Sequence, residues 1–367
     1  MTNLKPRSKA PTVADVARAA KVSKAQAARA LGGYGAVSEE VQERVSSAAL
    51  QLGYRPNALA RSMNTGRSNT IGVIVGDIEN PHFGLALRGM ADVARLAGYH
   101  LLLSNSDEKG QAEQDAVRVM LEKRVDGIIV APCCSSLEKN SHLIQVQAEG
   151  KALKLFDRAV DGLDVEAICC DFTEVAQQAT QQLITAGHHQ IAYVTSMELD
   201  RPYRALSDFG LTPVAQRVEG MMKAFSEAGL PFDPALVQAN ACDEVYITRI
   251  VDALWQRPQP PTALIASDSV VAMWLLREIT RRGLRIPQDV SFVMYDNFPW
   301  SEVVTPPLTV VAQPVYEMGR EAARRLIAEI RDEEAGPMPG FTAELITRHS
   351  IATPAVNHSP ALPAPDV

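Results

Sequence analysis

Basic side chains crowd one end of this chain of 367 residues, and two carboxylates stand at the ends of strand-like runs in the remainder. Residues 1–68 hold eleven Lys/Arg against four Asp/Glu, a net +7, whereas the whole chain carries −7, leaving −14 on the rest. A basic end on an acidic body suits phosphate binding by that end alone. Asp268 follows the run TALIAS (262–267), and Asp296 follows VSFVMY (290–295). At the carboxyl ends of parallel strands, carboxylates either accept hydrogen bonds from a ligand's hydroxyl groups or cap the segments that follow. No nucleophile–base constellation, P-loop, H-E-x-x-H or G-x-S-x-G motif is present. The expectation is a binding protein, not an enzyme, with no cofactor and no metal.

The elements that must carry these groups follow from spacing. Thr12 and Asp15 form an S/T-x-x-D/E box, which predicts a helix starting near Val13. Val13, Val16, Ala17 and Ala20 then share one face. Lys21-Val22 reads as a tight turn. Ser23 caps a second helix that runs through Ala30-Leu31 to Gly32-Gly33, and Ser38 caps a third with Val41, Val45, Ala48, Ala49 and Leu52 inward and Gly53 as its stop. The alanines let short helices cross closely. Helix spacing alone leaves a plain three-helix bundle open, and the +7 charge favours a DNA-reading headpiece.

From Thr70 onward, apolar runs alternate with amphipathic stretches: 70–76, 100–104, 127–132, 166–170, 190–196, 262–267 and 290–296. Near-continuous apolar strands separated by helices imply parallel sheets covered on both faces. The pattern restarts near Asp171, so two lobes with a cleft between them are expected. No apolar run reaches the ~18 residues of a membrane span. The polar, basic N-terminus has no apolar core of a signal peptide, which points to the cytoplasm. Cys133, Cys134, Cys169, Cys170 and Cys242 lack metal or redox spacing and read as reduced core cysteines. His188-His189, in a helix-to-strand turn, reads as structural. The tail after Ser350 is rich in Pro and Ala and has no leucine heptad for a tetramerising coiled coil.

The N-terminal segment resembles the headpiece of the lac repressor (LacI/GalR) family of bacterial transcription regulators. The resemblance rests on Thr12, Asp15-Val16-Ala17, Ala20, Val22-Ser23, Arg29, Leu31, Val37-Ser38, Gly53-Tyr54, Pro56-Asn57 and Ala60-Arg61. It implies that Lys24, Ala25 and Arg29 meet base edges in the major groove, Arg29 suiting guanine and Ala25 a thymine methyl. Ser23 and the helix N-terminus suit a phosphate. The usual Thr-Val-Ser of the recognition helix is here Gln26-Ala27-Ala28, so Gln26 is a further polar contact candidate. Residues 56–63 match the family's hinge helix, with Asn57 and Ala60 facing DNA. Met63 takes the place of the leucine that wedges into the minor groove, simple linker packing being its alternative.

The body resembles the same family, which shares its fold with periplasmic sugar-binding proteins. Matching pieces include Asn80-Pro81, Arg124-Val125-Asp126-Gly127, Asp157-Arg158, Arg217 with Gly220, Ala266 with Asp268, Ile286-Pro287 and Tyr295-Asp296. The resemblance implies a small all-α helix-turn-helix headpiece (1–55), a hinge and linker (56–69), and a two-lobed α/β effector-binding and dimerisation body (70–350) before a tail (351–367). Lobe 1 is expected at about 70–168 and 297–325, and lobe 2 at about 169–296 and 326–350. It also implies effector contacts from Phe83, Arg158, Arg217, Asp268, Asp296 and Trp300. An inter-lobe ion pair is the alternative for Arg217, and ordinary core packing for Phe83 and Trp300. Ser267 and Met294 depart from the family's Asn and Gly. MELDRPYRALSDFGLTPVAQ (197–216) is longer than the family's loop and reads either as a lid or as a plain surface insertion.

The reading is a homodimeric repressor on a pseudo-palindromic operator, released or retained by a small effector, expected to be a sugar or sugar derivative. A purine, a nucleoside or a partner protein in that role, and a two-lobed solute receptor, are the alternatives.

Overall fold

The computed structural model describes residues 11–32, 35–54 and 66–355. It divides into two units, residues 1–70 with 124–126, and 71–123 with 127–367.

In the first unit, α1 (Val13–Ala20), α2 (Lys24–Gly32) and α3 (Glu39–Leu52) enclose a core of Val16, Val45 and six alanines. Asp15 turns back to the Thr12 backbone amide at 2.9 Å and hydroxyl at 2.7 Å, which fixes the start of α1. Lys21 closes α1 in the left-handed region (φ 54°). The Arg44 guanidinium, from α3, donates to the carbonyls of Ala20 and Lys21. It thereby satisfies the C-terminal carbonyls of α1 and sets the turn before α2. At the end of this unit, Asp126 accepts from the Ser68 and Asn69 amides at 2.7 and 2.9 Å.

The second unit holds two large sheets and a short two-stranded one. The first, ordered β2-β1-β3-β4-β5, is built from β1 (Thr70–Val75), β2 (His100–Asn105), β3 (Gly127–Val130), β4 (Ala152–Phe156) and β5 (Ala167–Ile168). β1, β3, β4 and β5 pair in parallel. Helices α4 (Pro81–Leu96), α5 (Gly110–Glu122) and α6 (Ser141–Ala148) join these strands. After β6 (Cys170–Asp171) and α7 (Thr173–Thr185), the second sheet takes β7 (Ile191–Val194), α8 (Thr212–Glu227), β8 (Val237–Gln238) and α9 (Glu244–Trp255). It continues with β9 (Ala263–Ala266), α10 (Ser269–Arg281), β10 (Ser291–Tyr295), α11 (Pro299–Val303) and β11 (Thr309–Ala312). The chain then crosses to α12 (Val315–Arg331), returns through β12 (Phe341–Thr342), which pairs with β6, and ends at β13 (Glu344–Ile346). The second sheet has the order β13-β11-β10-β9-β7-β8, with β11–β13 antiparallel and its other neighbouring strands parallel.

Three expectations are corrected. The lobes do not exchange at residues 297 and 326: α11 and β11 belong with the second sheet, and all of α12 packs on α4 and the first sheet. The reason is continuous burial along α12, where Val315, Met318, Ala322, Ala323, Leu326 and Ile327 form one face that no boundary at 325 can divide. That face sits close to α4, since a Cβ on Gly319 would stand 2.2 Å from the Ala86 carbonyl oxygen. The run at 166–170 splits into β5 and β6, which join different sheets. Of the cysteines only Cys170 is buried; Cys133, Cys134 and Cys169 are half-buried and Cys242 is exposed, all as free thiols. Strand β4 carries no continuous apolar run because Lys154 interrupts it. Lys154 is buried and ion-paired with Glu166 at 3.0 Å and with Glu329. His188 is held from both ring nitrogens, by Thr262 and by the Ala352 carbonyl, each at 2.8 Å. No helix among the described residues is long and apolar enough to cross a membrane.

Candidate functional site

On the headpiece, Lys24, Ala25 and Arg29 are exposed on α2, whose buried side is Ala27 and Ala30. The first turn of α2 carries no acid, so its free backbone amides and two cationic side chains face solvent together. Ser23 and Gln26 are engaged with each other. The Ser23 amide and hydroxyl both donate to Gln26 Oε1 at 3.0 Å, and the Gln26 amide donates to Ser23 Oγ at 3.1 Å. This is a complete capping box, so the glutamine that replaces the family's threonine rebuilds the helix start. Of the Gln26 carboxamide, the Nε2 hydrogens remain to contact another molecule. Asn57, Ala60 and Met63, with the hinge segment around them, lie outside the described residues.

Within the second unit, a cavity of about 880 Å³ opens between the two lobes at the carboxyl ends of their strands. Its size falls in the ~300–1,000 Å³ range of small-molecule clefts. Phe83, Arg158, Arg217, Asp268 and Asp296 all line it. Trp300 does not: α11 turns it into the lobe 2 core, where it packs half-buried with its indole Nε1 unpartnered among the described residues. Trp274, on α10, is the tryptophan that lines the cavity.

Arg217, from α8, sits in the corner made by two nearly perpendicular rings, 4.3 Å from the centroid of Phe172 and 4.1 Å from that of Tyr295. It donates to the Ser267 carbonyl at 2.8 Å, and its buried Nε has no partner among the described residues. Burial opposes its charge, while the rings of Tyr193 and Tyr295 and the carboxylates of Asp296 and Asp157 hold its pKa above the usual value. It is therefore a cleft cation with donors to spare, and among the described residues no carboxylate forms an ion pair with it. Asp268 caps the helix that follows it and also lines the cavity. Its Oδ1 caps α10 through the Val270 and Val271 amides at 2.9 Å, and its Oδ2 accepts from the Ser267 hydroxyl at 2.6 Å. The serine at the family's asparagine position thus orients this carboxylate, and burial raises its pKa. Arg158 is held by Glu108 in a two-pronged pair at 2.6 and 2.8 Å and by the Pro132 carbonyl at 3.0 Å.

The sequence reading missed His82, between Pro81 and Phe83 on α4. His82 is buried, 3.1 Å from Asp157 of lobe 1 and 3.8 Å from Asp296 of lobe 2. Gln313, in the crossing to α12, donates to Asp296 at 3.1 Å. Burial disfavours the imidazolium, but the Asp157 carboxylate and, next, Asp296 hold its pKa up to about 10. The same pairing pulls Asp157 well below the carboxylate range against its own burial. Asp157 and Asp296 both take positive φ (65° and 76°) just after strand ends, which aims their side chains into the cleft. Asp157 stands beside Arg158 in the matched pair, yet nothing local to either residue marks His82 as its partner.

The 197–216 segment is not a plain surface insertion. Tyr203, Phe209 and Leu211 are buried, and Met197, Leu199, Arg201 and Gly210 line the cavity.

Comparison with known proteins places the family. Residues 12–57 match the family described as bacterial regulatory proteins, lacI family, and residues 180–351 match the periplasmic binding protein-like domain. Catabolite control protein A of Priestia megaterium is 32% identical over 324 residues, covering 88% of this chain and 93% of that protein. The transcriptional repressor PurR of Aliivibrio salmonicida is 30% identical, covering 93% and 98%. The crystal structure of the lac repressor dimer bound to operator and the anti-inducer ONPF superposes with a TM-score of 0.76, at 22% identity, over 94% of this chain and all of that one. A helix-turn-helix headpiece joined to a two-lobed, mainly parallel α/β body is the architecture these proteins share, and the chain belongs to the lacI family of DNA-binding transcriptional regulators.

Proposed function

We propose that this regulator is a homodimeric repressor of a pseudo-palindromic operator, and that a neutral polyhydroxylated ligand, a sugar or sugar derivative, in the interlobe cleft sets its DNA affinity. Lys24, Ala25 and Arg29 read base edges, and the N-terminus of α2 receives a phosphate. The carrying observation for the effector is Arg217, a buried guanidinium packed in the corner of two aromatic rings, whose Nε has no partner among the described residues. A buried donor of this kind is costly unless a ligand oxygen satisfies it. The cavity lining is acidic, with nine carboxylates against four Lys/Arg side chains and His82. That balance opposes a phosphorylated or carboxylated ligand and suits hydroxyl groups, which donate to carboxylates such as Asp268 and Asp296. Phe83 and Trp274 supply apolar faces for a sugar ring. A regulator of bacterial operators acts where that DNA is, in the cytoplasm and on the nucleoid while bound.

The coupling is a difference in ligand affinity between two lobe arrangements, one of which positions the headpieces of a dimer for their half-sites. Anisotropy titration of labelled DNA from upstream of this gene, with a panel of neutral sugars, sugar phosphates and purine nucleosides, tests it. Release or tightening by a neutral sugar, lost in Arg217→Ala, is the expected result. A response to a purine or a sugar phosphate alone would overturn the ligand class.

A further inference from the structure

Between β7 and α8 the chain leaves lobe 2, lines the cleft and meets lobe 1. Its first part is held on lobe 2 by Asn240, which accepts from the Leu199 amide at 2.8 Å and donates to the Leu199 carbonyl at 3.0 Å. Its middle is folded around Asp208, which takes the Arg204 and Ala205 amides at 2.8 and 3.0 Å and the Arg201 guanidinium at 2.8 Å. Tyr203 and Phe209 stack at 4.9 Å with their planes 17° apart, so the segment has a small core of its own. Its far end is fastened to Ser135, in the loop that follows β3 of lobe 1. The Ser135 amide donates to the Gly210 carbonyl at 2.7 Å. The Thr212 amide and hydroxyl donate to Ser135 Oγ at 3.2 and 3.0 Å. Ser135 is itself fixed on lobe 1, its carbonyl accepting from the Asp161 amide at 2.8 Å.

Lobes that move against each other are ordinarily joined by chain crossings on one side of the cleft. Here three hydrogen bonds add a non-covalent tie through a segment that also lines the cavity. We propose that Met197–Thr212 is a strap that ties lobe 2 to lobe 1 over the cleft, and that the Ser135 latch must release before the lobes part and a ligand passes. The proposal rests on the cleft being the effector site. The strap also shapes that site, since Arg201 and Asp208 pair with each other on the cavity lining and Glu198 and Asp200 add two carboxylates to it. A latch of three exchangeable hydrogen bonds suits a gate, because their net contribution is small beside global stability.

Gly210 provides a reversible lock. A Cβ there would meet Cys134 Sγ at 3.6 Å and the Met197 methyl at 3.4 Å, both ordinary contacts, so Gly210→Cys brings two sulfurs within reach of a disulfide. The readout is acrylamide quenching of Trp274, half-buried on the cavity wall, in the full chain carrying Trp255→Phe and Trp300→Phe, with circular dichroism confirming the fold. Diamide oxidation of Gly210→Cys should form the Cys134 disulfide and lower the quenching constant severalfold, and dithiothreitol should restore it in the same sample. Ser135→Ala, which removes the acceptor of two latch bonds, should raise quenching on the order of fivefold. Failure of the disulfide to form, or its formation with quenching unchanged, overturns the strap. Neither result depends on the effector: a chain that no sugar releases from operator DNA, but whose quenching follows the lock, refutes the effector reading and keeps the strap.

Discussion

In the headpiece, the groups proposed to meet DNA stand outside the core that carries them. Lys24, Ala25 and Arg29 are exposed, while the core beneath is two valines and six alanines with no buried charge. In the cleft the relation is reversed. His82, Asp157, Arg217 and Asp296 are each buried, and they lean on one another or on aromatic rings. The difference follows from the ligands. A DNA backbone is a large anion met at a convex surface, and long side chains reach it in water. A small-molecule effector must be surrounded, so the polar groups proposed to hold it are desolvated and need partners when it is absent. Removing a contact residue from α2 should therefore alter binding with little effect on stability, and removing one from the cleft should damage the fold first.

The sharpest break of that contrast is at His82. His82→Ala leaves Asp157 and Asp296 buried without their shared cation, and a loss of ~3–5 kcal/mol is expected in urea unfolding of the full chain. A loss below ~1 kcal/mol in that experiment would show that the cleft charges are not mutually dependent. The same group predicts a pH effect. Its pKa rises from 6.5 to about 10 on folding, so the folded state holds the extra proton. Its stabilisation is complete below pH ~6.5 and is lost as pH climbs through ~10. Unfolding midpoints should fall across that window, and His82→Asn should flatten the fall. A midpoint in the parent as flat as in the variant would sink the pairing.

On the headpiece, Arg29→Ala should cost ~1–3 kcal/mol of discrimination between operator and mutated operator while leaving the unfolding midpoint of the chain in place. Unchanged specificity would remove Arg29 from the base-reading set. The smallest effect is expected at Gln26. Gln26→Ala breaks the reciprocal cap and should cost ~1 kcal/mol of headpiece stability, read as loss of protection at the α2 amides in hydrogen exchange. Its effect on DNA should be uniform across sequences. A loss confined to one operator base would make Gln26 a base contact instead of a cap.

The two regions also differed in how far they could be read beforehand. Thr12 with Asp15, and Ser23 with the start of α2, were legible because a capping box needs partners three residues apart. The capping role of Gln26 was passed over, since comparison with the family's threonine drew notice only to a DNA contact, whereas Ser23-x-x-Gln26 is itself a box. In the body, seven apolar runs marked strands, but β4 was hidden by Lys154, whose counter-charges Glu166 and Glu329 come from distant parts of the chain. Trp300 was named for the cleft and lies in the lobe 2 core, and Trp274 lines the cavity instead.

The sequence by itself determined the helix starts of the headpiece, its excess of positive charge, the alternation of strands and helices, and the carboxylates at two strand ends. These are local properties, set by residues within a turn or a strand of each other. Tertiary structure alone decided that β11 joins the second sheet while α12 returns to the first. It decided that His82 bridges Asp157 and Asp296 across 75 and 214 positions of chain, and that the 197–212 segment is fastened to Ser135. Such partners are chosen by the demand that buried charge and buried amides be satisfied, and that demand exists only once the two lobes have closed around them.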